Sequence, residues 1–143
     1  MSDRYFIDTN IFVYCFEQQT LEKRERSLGI IADALQTRNG MISWQVIQEF
    51  LYASTNKFIT PLTLDDAKFY LTKVLYPLCQ IYPTLDLYSQ ALDIAKDTKY
   101  RFYDSLIIAA SVQGGCKVLY TEDLQDGQLV NGVHIINPFL KRI

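Results

Sequence analysis

Hydrophobic and polar residues fall along this chain in blocks, and the period of the blocks changes from one to the next. Tyr5, Phe6 and Ile7 form a short aromatic and β-branched run of the kind that fills a buried strand, and Asp8-Thr9-Asn10 cuts it off. The apolar run resumes at Ile11, Phe12, Val13 and Tyr14. Leu21 to Arg38 then carries Leu28, Ile31, Ala34 and Leu35 at helical spacing, and Asn39-Gly40 ends it. Met41 to Ser43 predicts a second brief strand, and Gln45 to Lys57 a helix that buries Val46, Ile47, Phe50 and Leu51. Pro61 breaks the chain, Thr63 is a candidate N-cap, and Leu64 to Tyr76 is a further helical stripe that Pro77 is expected to stop.

The alternation continues to the end. Cys79 to Tyr82 predicts a strand closed by Pro83, and Thr84 caps a helix running from Leu85 to about Lys99. Tyr103 to Gln113 is apolar nearly all the way round, which predicts a deeply buried helix, and Gly114-Gly115 closes it. Lys117 to Tyr120 reads as a strand, Thr121 to Gly127 as an acidic turn, and Val133 to Ile136 as the last strand, ending at Asn137-Pro138. Strands alternating with helices predict an α/β fold: a three-layer sandwich with a mostly parallel central sheet flanked by helices. The chain has no repeat or linker, and at 143 residues it is expected to be a single domain, 1–143.

Composition narrows the function classes. With 49% hydrophobic and 21% charged residues the chain is expected to fold as a soluble globular protein. No uncharged apolar stretch approaches membrane-spanning length, so no membrane partner is expected. Met1-Ser2-Asp3-Arg4 lacks the layout of a secretory signal, which makes a cytoplasmic location the expectation. Cys15, Cys79 and Cys116 each lie in an apolar segment and read as reduced core residues. The one histidine, His134, lies in an alternating strand pattern, and a His-rich metal site is excluded. A net charge of -2 gives no overall pull toward nucleic acid, so phosphate would have to be met by local patches or bound cations.

Candidate chemistry starts at Asp8-Thr9-Asn10. A carboxylate, a hydroxyl and an amide wedged between two apolar segments belong where a strand ends, the edge at which open α/β sheets bind ligands. An N-cap for a helix at Ile11 accounts for the same residues with no function at all. Asp123 also follows a strand. Helices packed on a parallel sheet run opposite to its strands, so Glu49 and Asp104, both near helix starts, are expected at the same edge. Each acid has an ordinary reading: a solvated flank for Glu49, a cap or helix-dipole partner for Asp104, turn chemistry for Asp123 and for Asp126-Gly127. Their convergence carries the argument. Clustered carboxylates repel unless something offsets the charge, and an all-oxygen donor set suits Mg²⁺ or Mn²⁺ better than zinc.

Phe6-Ile7-Asp8-Thr9-Asn10, Glu49, Tyr103-Asp104-Ser105-Leu106-Ile107-Ile108-Ala109-Ala110 and Tyr120-Thr121-Glu122-Asp123 together resemble the PIN domain, and in size the chain is similar to its VapC-type ribonuclease toxins. The resemblance implies a Mg²⁺- or Mn²⁺-dependent endoribonuclease that hydrolyses RNA phosphodiester bonds. Carried over by position, Asp8, Glu49, Asp104 and Asp123 would be the catalytic, metal-binding acids, Thr9 and Asn10 would support the first of them, and Thr121 would face the same pocket. It also implies a homodimer and, for the toxin branch, a cognate antitoxin protein. Lys96, Lys99 and Arg101, just ahead of Asp104, and Lys23, Arg24 and Arg26 on the first long helix are candidate phosphate contacts. A PIN nuclease of RNA processing and a non-catalytic module that binds a basic partner through its acidic rim remain the alternatives. A haloacid-dehalogenase-type phosphatase, which needs a second aspartate where Asn10 stands, fits poorly.

Overall fold

Residues 3–141 are described in this computed structural model, so the reading of Met1 and Ser2 lies outside the described residues. In chain order the elements are β1 (Tyr5–Ile7), α1 (Thr9–Tyr14), α2 (Leu21–Thr37), β2 (Gly40–Ser43), α3 (Trp44–Asn56), α4 (Leu64–Tyr70), α5 (Tyr76–Leu78), β3 (Cys79–Ile81), α6 (Leu85–Thr98), α7 (Phe102–Gln113), β4 (Val118–Tyr120), β5 (Leu129–Val130) and β6 (Val133–Ile136). The strands form one six-stranded sheet in the order β3-β2-β1-β4-β6-β5. Every pairing is parallel except that of β5 with β6. The fold is the expected α/β sandwich, a mostly parallel sheet flanked by helices.

Burial explains why β1 is central. Phe6 and Ile7 are fully buried, as strands covered on both faces require. α7 packs against β2, β4 and β6 and is itself covered by α6, so its residues from Ser105 to Ser111 are buried, as the all-round apolar pattern predicts. Ser111, isolated there, satisfies its hydroxyl by donating to the Ile107 carbonyl at 3.0 Å. Gly40 opens β2 because nothing larger fits: a Cβ there would lie 2.5 Å from the Ala34 Cβ and 2.6 Å from the Tyr5 ring. The cysteines are buried and unpaired, and His134 lies on the exposed side of β6, as expected.

Two elements differ from the sequence reading. The helix from Leu64 does not run evenly to Tyr76: between Tyr70 and Tyr76 the backbone widens into a π-helical turn, Leu71–Leu75, and the chain stays helical through Pro77 to Leu78. Proline lacks the N–H that would continue the ladder, and the wide turn ahead of it absorbs the irregularity. β5 has no counterpart in the reading. It pairs with β6 through Asn131 and Gly132, both at positive φ (48° and 87°), the backbone that an Asn-Gly hairpin turn provides. The Thr63 and Thr84 caps form as expected, accepting from the backbone N–H of Asp66 and Leu87.

Candidate functional site

The β1–α1 junction supplies the first three polar groups. Asp8 is the N-cap residue of α1, but its carboxylate is occupied beyond capping. Oδ1 accepts the Thr9 backbone N–H at 2.7 Å, and Oδ2 accepts the Thr121 hydroxyl at 2.8 Å from the end of β4. Parallel pairing of β1 with β4 brings these two residues together. The cap reading and the site reading of Asp8 are therefore compatible. Thr121 does not face the open pocket: it is 1% exposed and lies behind Asp8, and its Oγ1 also accepts the Asp123 N–H at 3.1 Å.

Thr9 and Asn10 reach the other acids. The Thr9 hydroxyl donates to Glu49 Oε1 at 2.6 Å, and the Asn10 amide donates to Asp123 Oδ2 at 3.1 Å. Glu49 Oε2 accepts from Gln45 Nε2, one helical turn earlier, at 3.2 Å, and the same nitrogen donates to the Tyr103 carbonyl at 3.2 Å. That last contact ties the starts of α3 and α7 together, as the antiparallel packing of helices on a parallel sheet requires. Asp104 lies in the first turn of α7, whose N-cap is Arg101, so its reading as a cap is corrected to a residue facing the helix dipole. Asp8, Thr9, Asn10, Gln45, Glu49, Asp104 and Asp123 all line one cleft of about 860 Å³. Phe16, Tyr52, Phe58 and Ile59 line it as well, interspersed with the polar Glu17, Gln18, Gln19, Lys57 and Thr60.

Electrostatics mark this cleft. Burial pushes the Asp8 carboxyl up to about 7, and the Asp123 and Glu49 charges add to it against the lowering pull of the Thr121 and Thr9 hydrogen bonds. Asp123 is also raised, first by loss of solvent around its carboxyl and then by the charges of Glu122, Asp104 and Glu49. Among the described residues the one ion pair is Lys23–Glu122: Glu17 also lines the cleft, and the cleft's lining lysine, Lys57, lies over the Tyr52 ring and forms no ion pair with these acids. Nor, among the described residues, is any group of three or more His, Cys, Asp or Glu gathered tightly enough to hold an ion by itself. The donor set still fits a hard divalent cation, because Mg²⁺ binds through one or two carboxylates and keeps several waters.

Other candidates fall elsewhere. Lys96, Lys99 and Arg101 are exposed and do not line the cleft. Lys23 is held by Glu122, and Arg26 lies over the Tyr120 ring and donates to the Pro138 carbonyl at 3.3 Å. Asp126 accepts the Asn137 N–H at 2.8 Å, which gives it work in the β-hairpin region, and it does not line the cleft. Gln45 is the site residue the sequence reading passed over. Its one signal is spacing, since a residue four before Glu49 shares its helix face.

The PIN domain pattern matches residues 5–125, which includes all four acids. This chain belongs to the PIN domain family. PIN domains are typically nucleases. Solved structures agree in fold: a toxin–antitoxin complex from Klebsiella pneumoniae is 17% identical, with a TM-score of 0.65 over 94% of this chain and 97% of that one. DNA-bound VapBC from Salmonella typhimurium is 18% identical, with a TM-score of 0.64 over 94% and 97%. VapC20 from Mycobacterium tuberculosis, a sarcin-ricin loop cleaving toxin, is 20% identical, with a TM-score of 0.54 over 83% and 89%. No curated protein matches the chain. Among the described residues of this PIN domain no helix is long and apolar enough to cross a membrane.

Proposed function

We propose that this PIN domain is a Mg²⁺- or Mn²⁺-dependent endoribonuclease and the toxin of a toxin–antitoxin pair. The observation that carries the reading is the buried Asp8 carboxylate, held by two hydrogen bonds in a cleft whose other acids form no ion pair among the described residues. Asp8, Glu49, Asp104 and Asp123 are the acids that would supply the cation's one or two direct carboxylate ligands and the charge around its waters. When bound, it neutralises phosphate charge, makes a water more acidic and stabilises the leaving oxygen. The chain's own residues orient these acids. Thr121 fixes Asp8 and, through the Asp123 N–H, the start of the acidic turn. Thr9 holds one Glu49 oxygen and Gln45 the other, which leaves that carboxylate little rotational freedom. Asn10 steers Asp123 without cancelling its charge.

The toxin assignment is supported by likeness in fold and size to toxins crystallised with antitoxins. The exposed apolar side chains of the cleft lining, Tyr52 at 60% and Ile59 at 86%, suit a partner segment that would block the site. A homodimer belongs to the same reading. The test is cleavage of end-labelled single-stranded and structured RNAs by the partner-free protein in Mg²⁺, Mn²⁺ or EDTA, beside Asp8→Asn. Metal-dependent products from the wild type, reduced on the order of 100-fold or more in the variant, are expected. Cleavage that survives in EDTA or in Asp8→Asn would sink the proposal. Absence of any cleavage, with metal bound, would favour the acidic-rim binding module instead.

A further inference from the structure

A second cleft, of about 410 Å³, opens beside the acids and shares Gln45 and Tyr103 with them as walls. Its rings come from three helices and from the loop between β3 and α6. Trp44, which opens α3, lies 5.9 Å from Tyr82 between ring centroids, and Tyr88 on α6 lies 6.3 Å from Phe102 on α7. These rings are not core: Trp44 is 43% exposed, Tyr82 42% and Tyr88 40%.

Unmet hydrogen-bonding capacity lies buried behind the wall of this cleft. Ser43 and Gln45 line it and are 3% and 9% exposed, and neither Ser43 Oγ nor Gln45 Oε1 has a hydrogen-bond partner among the described residues. The amide orientation of Gln45 is fixed, because its nitrogen already serves two acceptors, Glu49 Oε2 and the Tyr103 carbonyl. The orphan is therefore an acceptor. A buried acceptor and hydroxyl left unpaired are costly to the free protein, by about 1–3 kcal/mol each in general, unless a ligand completes them. Ser43 Oγ can move between staggered rotamers to meet one.

We propose that this cleft is a nucleobase subsite for a residue flanking the bond that is cut. A base stacks on the aromatic wall, and once the side chains covering the two buried atoms move aside its edge gives an N–H to Gln45 Oε1 and exchanges a second hydrogen bond with Ser43. Flat, largely apolar walls with a few polar groups at the back suit a splayed-out base, and single-stranded RNA is recognised in that way. Gln45 joins the two clefts, so a base held here sets the position of the adjoining phosphate over the acids. The inference rests on the ribonuclease reading for its substrate class, but its test does not require cleavage.

Trp44 is the one tryptophan of the chain, so its fluorescence reports this cleft. The full chain, free of partner and in EDTA, is titrated with adenosine 5′-monophosphate and, separately, with ribose 5-phosphate, which lacks the base. Saturable quenching by the nucleotide and none by the sugar phosphate is expected. Ser43→Ala should weaken the nucleotide roughly fivefold while leaving the melting temperature equal or higher, since it removes an unsatisfied hydroxyl. Tyr82→Ala should weaken it roughly tenfold. Equal quenching by both ligands, no quenching, or unchanged affinity in both variants overturns the subsite. So does Trp44 emission that follows self-association in sedimentation and ignores nucleotide, which would make the cleft an interface between copies. Quenching with no RNA cleavage in metal refutes the nuclease reading and leaves the subsite standing.

Discussion

Glu122 and Asp123 are neighbours in one turn, yet the fold treats their charges in opposite ways. Glu122 accepts from Lys23 Nζ at 2.9 Å and from the Tyr14 hydroxyl, and the lysine sits over the Tyr14 and Phe139 rings at 4.8 and 5.3 Å. That cluster is a closed structural clamp between α2 and the end of β4. Asp123 turns the other way, accepts from the neutral amide of Asn10 and shares the cleft with Asp8, Glu17, Glu49 and Asp104. The protein can place a lysine against an acid when architecture requires it. In the cleft the lining lysine, Lys57, sits over the Tyr52 ring instead of against an acid, and the Asp8 and Asp123 carboxyls are raised, first by burial and then by their acidic neighbours.

The largest effect that would break this contrast is on apo stability at Asp8. Its carboxyl, normally near 3.8, titrates near 7 in the folded chain, so folding takes up a proton between those values. Its contribution is most favourable below the lower value and is lost as pH rises through about 7, the reverse of a salt-bridged acid. Asp8→Asn should then melt higher than wild type in EDTA at pH 8, by an amount on the order of a few kcal/mol, and lose most of the decline between pH 4 and 8. Its amide can donate to the Thr121 oxygen while its carbonyl keeps the Thr9 N–H. A clear loss of stability would mean that Asp8 serves as a structural cap and little else.

Next in size is the response to metal. Mg²⁺ or Mn²⁺ at about 100 times its dissociation constant should stabilise the wild type by about 2.7 kcal/mol. In melting temperature this amounts to roughly 5–10 °C. The shift should shrink as pH falls below 7, where a proton competes for Asp8. A melt indifferent to both ions would erase the distinction between the two sides of the turn. The smallest effect is expected at the clamp. Lys23→Met breaks a pair whose lysine side chain is 35% exposed, so the stability loss should be about 1 kcal/mol or less, with the metal-induced shift unchanged. A diminished metal shift in that variant would show that Lys23 belongs to the cleft after all.

Much of this was written locally. The buried run at Phe6 and Ile7 followed by Asp8, the all-round apolar helix carrying Asp104, and the caps at Thr63 and Thr84 each depend on neighbours within a few residues. Parallel topology then sent Glu49 and Asp123 to the same edge, because helices must return against their strands. The misses are of another kind. Pro77 was read as a stop, yet a π turn several residues earlier absorbs it, and β5 exists because Asn131-Gly132 folds it onto a strand already in the sheet.

Side-chain partnership was the part that pattern could not reach. Thr121 behind Asp8 rather than in the open cleft, Lys23 committed to Glu122, and Lys96, Lys99 and Arg101 away from the acids all depend on which rotamers packing permits across elements as much as 113 residues apart. The aromatic cleft has the same origin: Trp44, Tyr82, Tyr88 and Phe102 share no spacing and meet because α3, α6 and α7 pack around one edge of the sheet. Periodicity encodes which face of an element is buried. Which polar groups then face one another is settled by the packing of those faces, since a hydrogen bond needs a partner within about 3 Å and sequence distance places no limit on where that partner comes from.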